Sequence, residues 1–414
     1  MATLVFLKNK IFFYGDNVMR FLSLDRVRAG ISRNIFFMGV VSFFNDISSE
    51  MIYPIWPFFL TDILGAPITA VGLIEGTAEA ASSIFNVISG RLSDHVGRRK
   101  PFVVFGYSLA TVSKFLLGFA GSWRAALVGR TGDRFGKGIR TAARDALIAE
   151  NSSFETRGVA FGLHRGMDAF GAVLGPLITL AILPAVSLRS IFFLAAIPGV
   201  LCVVIFVVCV REVYVASQEV RTLVPWLSLG APFFTFVGIN MLFAFGNSSD
   251  VFIILRTHVL GFSLAHVILL RVLLNMTYSF FSLPAGRLSD RIGPRRVMII
   301  GFVLFSLVYF SFGFISRPAW FWLLLPLYGI FLALTEGVGR AYISHLVPCS
   351  ALGSAYGVYQ VTTGLATFLA SFVAGLLWSH VSSSAPFFLG GSMALGAALL
   401  LLVVERRHLR IPVP

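Results

Sequence analysis

Apolar residues fall in long unbroken runs parted by short polar stretches, without the strict alternation of half-buried strands. Twelve runs can be marked, at about 35–60, 67–90, 101–120, 123–145, 159–183 and 188–211, then 228–254, 262–286, 297–316, 319–341, 353–378 and 384–404. Each is near or above the ~20 residues that carry a helix across ~30 Å of hydrocarbon. Continuous runs argue against a membrane barrel, whose strands alternate. The pattern predicts an all-α membrane protein with twelve transmembrane helices.

The polar stretches repeat. Gly90-Arg91-Leu92-Ser93-Asp94-His95-Val96-Gly97-Arg98-Arg99-Lys100 returns 196 residues later as Gly286-Arg287-Leu288-Ser289-Asp290-Arg291-Ile292-Gly293-Pro294-Arg295-Arg296. Each copy reads as a short basic loop between two apolar runs. Gly158-Val159-Ala160-Phe161-Gly162-Leu163 matches Gly353-Ser354-Ala355-Tyr356-Gly357-Val358, and Ser48-Ser49-Glu50 matches Ser248-Ser249-Asp250. These matches pair run one with seven, two with eight and five with eleven. An internal duplication inside a membrane protein is the architecture of secondary transporters. The expected plan is two pseudo-symmetric six-helix bundles, 35–211 and 227–405. Around them lie a basic tail 1–34, a linker 212–226 and a C-terminal tail 406–414.

Composition and charge sharpen this. Mean hydropathy is +0.85, and 13% charged residues are too few to clothe a soluble domain of this length. Of 33 Lys and Arg, 23 fall on one side of the predicted topology, while the opposite loops hold only Arg124, Arg189, Arg256 and Arg317. The positive-inside rule then places both termini and both repeated loops in the cytoplasm, for a multi-pass protein of the inner (cytoplasmic) membrane. The net charge of +14 is this bias and implies no nucleic-acid partner. Cys202, Cys209 and Cys349 form no spacing pattern and the seven His are scattered, so neither a disulfide framework nor a metal or other cofactor is expected. No nucleophile–base arrangement is visible, which argues against an enzyme.

Charges inside the apolar runs carry the functional signal. Each costs ~2.5–3.5 kcal/mol in hydrocarbon even on permissive scales, so each needs a partner, a cavity or a proton. Run one holds Asp46 and Glu50 on one helical face, and run two Glu75 and Glu79 one turn apart. Run four holds Arg130, Asp133, Arg134 and Lys137; run five His164, Arg165 and Asp168, the last two on adjacent positions. Asp250 and Arg271 follow in the second half. The counterparts of Glu75 and Glu79 there are Arg271 and Asn275, so the halves differ where function should break the symmetry. Asp46, Glu50, Glu75, Glu79, Arg130, Arg165, Asp168, Asp250 and Arg271 are the expected proton and substrate ligands. Fixed interhelix ion pairs are the structural alternative. Asp46 is the favoured proton carrier, with Asp168 and Arg271 the next pair. Glu336 and Arg340, one turn apart, read as a plain helix-surface pair.

The segment Gly90–Lys100 resembles the signature between helices two and three of the major facilitator superfamily, and the chain from about 35 to 405 fits that family's plan. Phe44-Asn45-Asp46-Ile47-Ser48-Ser49-Glu50-Met51-Ile52-Tyr53-Pro54, Gly136-Lys137-Gly138-Ile139-Arg140, Arg144-Asp145-Ala146-Leu147-Ile148-Ala149 and Leu334-Thr335-Glu336-Gly337 resemble an uncharacterised bacterial branch of it. The resemblance implies alternating access: two bundles rock about a central cavity, usually driven by protons, acting on a small-molecule substrate. A monomer in the lipid bilayer is expected. Gly90 permits close helix approach. Asp94 suits a helix N-terminus, which the resemblance identifies as the eleventh. Arg98, one turn on, can pair with Asp145 as a cytoplasmic latch. The second copy, with Gly286, Asp290 and Arg295, has Pro294 in place of Arg98 and Ala341 in place of Asp145. Gly171-Ala172-Val173-Leu174-Gly175-Pro176 resembles a truncated exporter motif and favours efflux. The alternatives are a divalent-metal exporter, an importer of organic anions, and a transport-dead membrane sensor or scaffold.

Overall fold

The structure is a computed structural model and describes residues 32–152, 157–212, 229–348 and 351–408. In chain order the helices are α1 (Arg33–Ile52), α2 (Ile68–Val96), α3 (Lys100–Leu117), α4 (Trp123–Glu150), α5 (Arg157–Ile182) and α6 (Leu188–Cys209). They continue as α7, in two pieces α7a (Ala231–Gly246) and α7b (Val251–Val259), then α8 (Leu264–Ile292), α9 (Pro294–Phe314), α10 (Phe321–Leu346), α11 (Leu352–His380) and α12 (Ala385–His408). Among the described residues nine spans are long and apolar enough to cross a membrane. The helices outside that set are α2, α3 and α4, whose acids, lysines and arginines lower their apolarity. Packing hides several of those charges: Glu75, Lys114, Arg130 and Asp133 are buried.

α1 packs on α5 and α6, α2 on α4, and α3 on α4 and α6. In the second half α8 packs on α10, α9 on α10 and α12, and α7a on α11 and α12. The two bundles meet along α2–α11 and α5–α8. The α2–α11 seam is backbone against backbone. A Cβ on Gly72 would run into the Ser371 carbonyl, and one on Gly375 into that of Ile68. The predicted N-terminal tail, linker and C-terminal tail lie largely outside the described residues.

One expectation is corrected. The repeated basic segment is mostly helix, not loop: α2 runs through Val96 and α8 through Ile292. An apolar run ends where the hydrocarbon ends, but the helix continues into the polar zone, where charged residues are good helix formers. Glycines stop it. Gly97 has φ 68° and Gly293 φ 89°, conformations that side chains resist.

Two of the spans are broken at matching places. α1 ends at Ile52, and after a turn through Pro54 a short helix Trp56–Phe58 runs into a π-helical turn Phe59–Ile63. Pro54 and Pro57 lack the N–H that would continue α1. α7 breaks between Gly246 and Val251. The breaks bring Tyr53 and Trp56 of one bundle beside Ser249 and Asp250 of the other.

Candidate functional site

The face carrying Gly97 and Gly293 is termed the motif face and the opposite one the far face. Toward the far half, a network of charges ties the bundles together. Arg271 on α8 donates two hydrogen bonds to Glu50 on α1, Nε to Oε2 and Nη2 to Oε1, both 3.0 Å. Its third nitrogen reaches Asp250 at 3.3 Å, and the Tyr328 hydroxyl donates to the other Asp250 oxygen at 2.8 Å. Asn275, one turn below Arg271, donates to the Ala172 carbonyl of α5 (2.8 Å) and to Glu50 (3.4 Å).

Beside it stands a second cluster. Glu75 on α2 accepts from Arg130 Nε (2.9 Å) and Nη2 (3.2 Å), from the Trp56 indole (2.8 Å), and from the Ser249 hydroxyl across the interface (3.1 Å). Behind Arg130, Asp133 lies 3.8 Å from it and 3.9 Å from Lys114, whose ammonium bonds the Ser48 and Ser49 hydroxyls at 3.2 and 2.8 Å. Tyr53 joins the clusters, its ring 4.3 Å from the Arg271 guanidinium and 5.9 Å from that of Arg130. Such faces attract cations. The crossing is pseudo-symmetric. α1 reaches α8 through Glu50–Arg271, and α7 reaches α2 through Ser249–Glu75.

Toward the motif face the charges are differently placed. Asp46 accepts from its neighbour Asn45 (3.0 Å). Asp168 is bonded by Ser42 and lies 3.4 Å from His164. Glu79, Arg134, Lys137 and Arg165 make no hydrogen bond or ion pair through their side chains among the described residues, and Lys137 and Arg165 are exposed. Arg271 takes Glu50 and Asp250, and one expected adjacency changes. Asp168 takes His164, not Arg165: a four-residue step returns to the same face more closely than a three-residue one. Glu336 accepts from Tyr278 of α8 at 2.6 Å, not from Arg340.

The motif itself is organised through groups the sequence reading passed over. Arg99 bonds Glu150 (3.1 Å) and Ser93 (2.9 Å), and Glu212 accepts from the Arg99 and Lys100 amides that open α3. The Lys100 ammonium caps the end of α6 at the Val207 and Val210 carbonyls. In the second copy Arg295 instead donates to the Leu401 carbonyl within α12, whose last residue is His408. Gly90 faces Ala142 of α4, so close approach holds there, whereas a Cβ on Gly286 would meet nothing within 4 Å. Asp145 is bonded by Arg144 at 2.8 Å. The Asp94 side chain lies outside the described residues, and Asp290 is exposed on the motif face.

Tyr53, Trp56, Ser249 and Tyr328 were not foreseen as site residues. They are uncharged, so nothing in an apolar run marks them. The repeat of Ser48-Ser49-Glu50 at Ser248-Ser249-Asp250 was the available signal.

Two helical bundles joined across a polar core define a membrane carrier rather than an enzyme. The profile of the Major Facilitator Superfamily matches residues 38–270 and 233–413, and the chain belongs to that superfamily. An uncharacterised transporter of this type from Methanocaldococcus jannaschii is 35% identical over 382 residues, 90% of this chain and 95% of that one. The multidrug resistance protein MdtG of Enterobacter lignolyticus is 24% identical over 69% of this chain and 71% of its own. Among solved structures, a nucleoside transporter superposes with a TM-score of 0.77 at 13% identity, over 89% of this chain and 99% of that chain. That likeness shows the fold.

Proposed function

We propose that the protein is a proton-coupled exporter of a small organic solute, with its motif face and both termini in the cytoplasm of the inner membrane. The observation that carries the reading is the Glu50–Arg271 pair. It joins the bundles in the far half, so it must part when they rock open to that side. Parting leaves a carboxylate deep in the protein without its cation, a state that a proton relieves. Glu50 thereby takes the coupling role first given to Asp46, which forms no ion pair with an arginine among the described residues. Efflux is supported by Gly171 and Gly175, which seat α5 against the α1 backbone at Asp46 and Glu50, and by the multidrug resistance relative. A divalent-metal cargo has less support: among the described residues no three His, Cys, Asp or Glu side chains gather into a metal-binding group.

The test uses purified protein in liposomes and a panel of drugs and organic acids. Glu50→Gln is expected to abolish gradient-driven accumulation while exchange between compartments of equal pH continues. Wild-type accumulation by Glu50→Gln would overturn the coupling role. Orientation is checked by cysteines at His95 and Asp290, both exposed on the motif face, against one at the exposed Ser122 on the far face. An impermeant thiol reagent should label only the last in intact cells.

A further inference from the structure

α1 and α5 run side by side in a fixed register. A Cβ on Gly171 would lie 2.6 Å from the Phe43 carbonyl and 3.0 Å from the Asp46 Cβ, and Thr179 donates to the Met51 carbonyl at 2.8 Å. Both helices belong to one bundle, so the register survives when the bundles rock. It sets Asp168, about 16 Å of helix from the start of α5 at Arg157, against Ser42 of α1. The Ser42 hydroxyl donates to Asp168 Oδ1, and His164 Nδ1 lies 3.4 Å from Oδ2. Among the described residues no Lys or Arg forms an ion pair with Asp168, although several stand near. Arg165 on its own helix is exposed, and Arg144 of α4 is taken by Asp145 at 2.8 Å. Arg140 of α4 acts on Asp46, one turn from Ser42, as does Cys202 of α6. The Arg140 guanidinium sits 4.7 Å from the Tyr107 ring of α3, and its Nε and Nη1 have no partner. α8 meets α5 one turn farther on, where Asn275 donates to the Ala172 carbonyl, and brings Tyr278 within reach of Arg165.

We infer that Asp168 is a proton-binding site, positioned by Ser42 and His164 and separate from Glu50. Its partners set it apart. An arginine only donates, so it fixes a carboxylate in the charged form, whereas a hydroxyl and a neutral imidazole each donate or accept. When Asp168 is charged, Ser42 and the His164 Nδ1–H turn their hydrogens to it. When a proton arrives on Oδ1, the acid donates to Ser42, whose own hydrogen turns to the carbonyl a turn back in α1. Oδ2 still accepts from His164. One proton is gained and no helix moves. His164 stays neutral throughout: it is 3% exposed and its Nε2 has no partner, so an imidazolium would bury an N–H without an acceptor. The Asp168 side chain is 29% exposed, so it stays open to proton exchange in this state. Glu50 differs, because its donors Arg271 and Asn275 lie in the other bundle and release it only when the bundles part. The inference goes beyond the coupling reading and rests on it only for the proton's passage onward to Glu50.

The experiment is an infrared difference titration of the purified full chain in nanodiscs, without solute, from mildly alkaline to mildly acid buffer. Protons are the probe, and the carboxyl band of a protonated aspartate is the readout. Asp168→Asn should remove one carboxyl from that band, whereas Glu50→Gln should leave the Asp168 component in place. Ser42→Ala and His164→Gln should each move its midpoint by roughly half a pH unit or more, which loss of a residue that merely packs there would not do. Asp168→Glu keeps a titrating carboxyl and should keep a band, which separates a lost site from a lost fold. Arg124→Gln, on the far face, should change nothing. A band that Asp168→Asn leaves whole, or a midpoint that neither Ser42→Ala nor His164→Gln moves, overturns the site. The coupling reading fails separately: wild-type accumulation by Glu50→Gln in liposomes sinks it and leaves the Asp168 titration standing.

Discussion

The two halves of the first bundle's charge set behave oppositely. In the far half Glu50 and Glu75 are each bonded by an arginine and by at least one further group, with a bond to the other bundle in each case. In the motif half Glu79, Arg134 and Lys137 also lie well inside their helices but have no bonded partner among the described residues. Depth alone therefore does not separate structural from functional charge. What separates them is whether the protein itself supplies the counter-charge. A bonded buried charge holds two elements in one state. An unbonded one must draw its counter-charge or its hydration from elsewhere.

The strongest way to break the comparison is to remove the central cation. Arg271→Ala leaves Glu50 and Asp250 facing each other across the interface without their shared partner. Loss of one member of a buried pair costs roughly 3–5 kcal/mol. A large drop in melting temperature with loss of transport is expected by tryptophan-fluorescence melting and liposome flux. Arg271→Lys should recover only part of both, since a lysine cannot reproduce the paired Nε and Nη2 bonds to Glu50. An unchanged melting temperature in Arg271→Ala would mean the far half is not held by this network.

Next in size is Glu75→Gln. The amide still accepts from Trp56, and Asp133 remains near Arg130. The loss is therefore smaller, about 2–3 kcal/mol. Because Ser249 bonds the same carboxylate across the interface, Ser249→Ala combined with Glu75→Gln should be less than additive. Strict additivity of the two melting shifts would argue that the α7–α2 contact carries no coupling.

Much of this was legible in the sequence, for a definite reason. A charge within an apolar run stands out, so Glu50, Glu75, Arg130, Asp250 and Arg271 could all be picked by composition. Their partners could not. Glu50 and Arg271 are 221 residues apart, and no periodicity relates positions on different helices in different bundles. No partner for Arg271 could be named from the sequence; helix order around the interface put Glu50 there. Helix number was legible because each span must be apolar, whereas helix ends were not, because polar residues extend α2 and α8 to glycines that the runs do not reveal. Trp56 and Tyr328 read as ordinary apolar content and become polar partners only once the fold sets a carboxylate beside them.

The motif half should respond in the reverse sense. Lys137→Gln and Glu79→Gln remove charges with no bond to lose, so each should change stability by no more than ~0.5 kcal/mol. Transport should nonetheless fall ten-fold or more. A melting shift as large as that of Glu75→Gln would reclassify these residues as structural and erase the contrast.

A comparably small effect on stability is expected at the motif face itself. Asp145 is 39% exposed and held by its part-buried neighbour Arg144, and a pair open to water on the acid's side contributes only ~0–1 kcal/mol. Asp145→Asn should therefore leave the melting temperature close to wild type. If Arg98 and Asp145 latch the motif face when it closes, their coupling belongs to that closed state and should be visible in transport rather than in melting. Arg98→Ala and Asp145→Asn would each slow flux, and the double variant would be little slower than either single one, because one interaction is removed twice. Arg295→Ala should be milder on flux, since that side chain bonds α12 within its own bundle and breaks nothing when the bundles rock. Additive flux losses for Arg98→Ala and Asp145→Asn would dissolve the latch and leave Arg99, Glu150 and Glu212 as the groups that order this face.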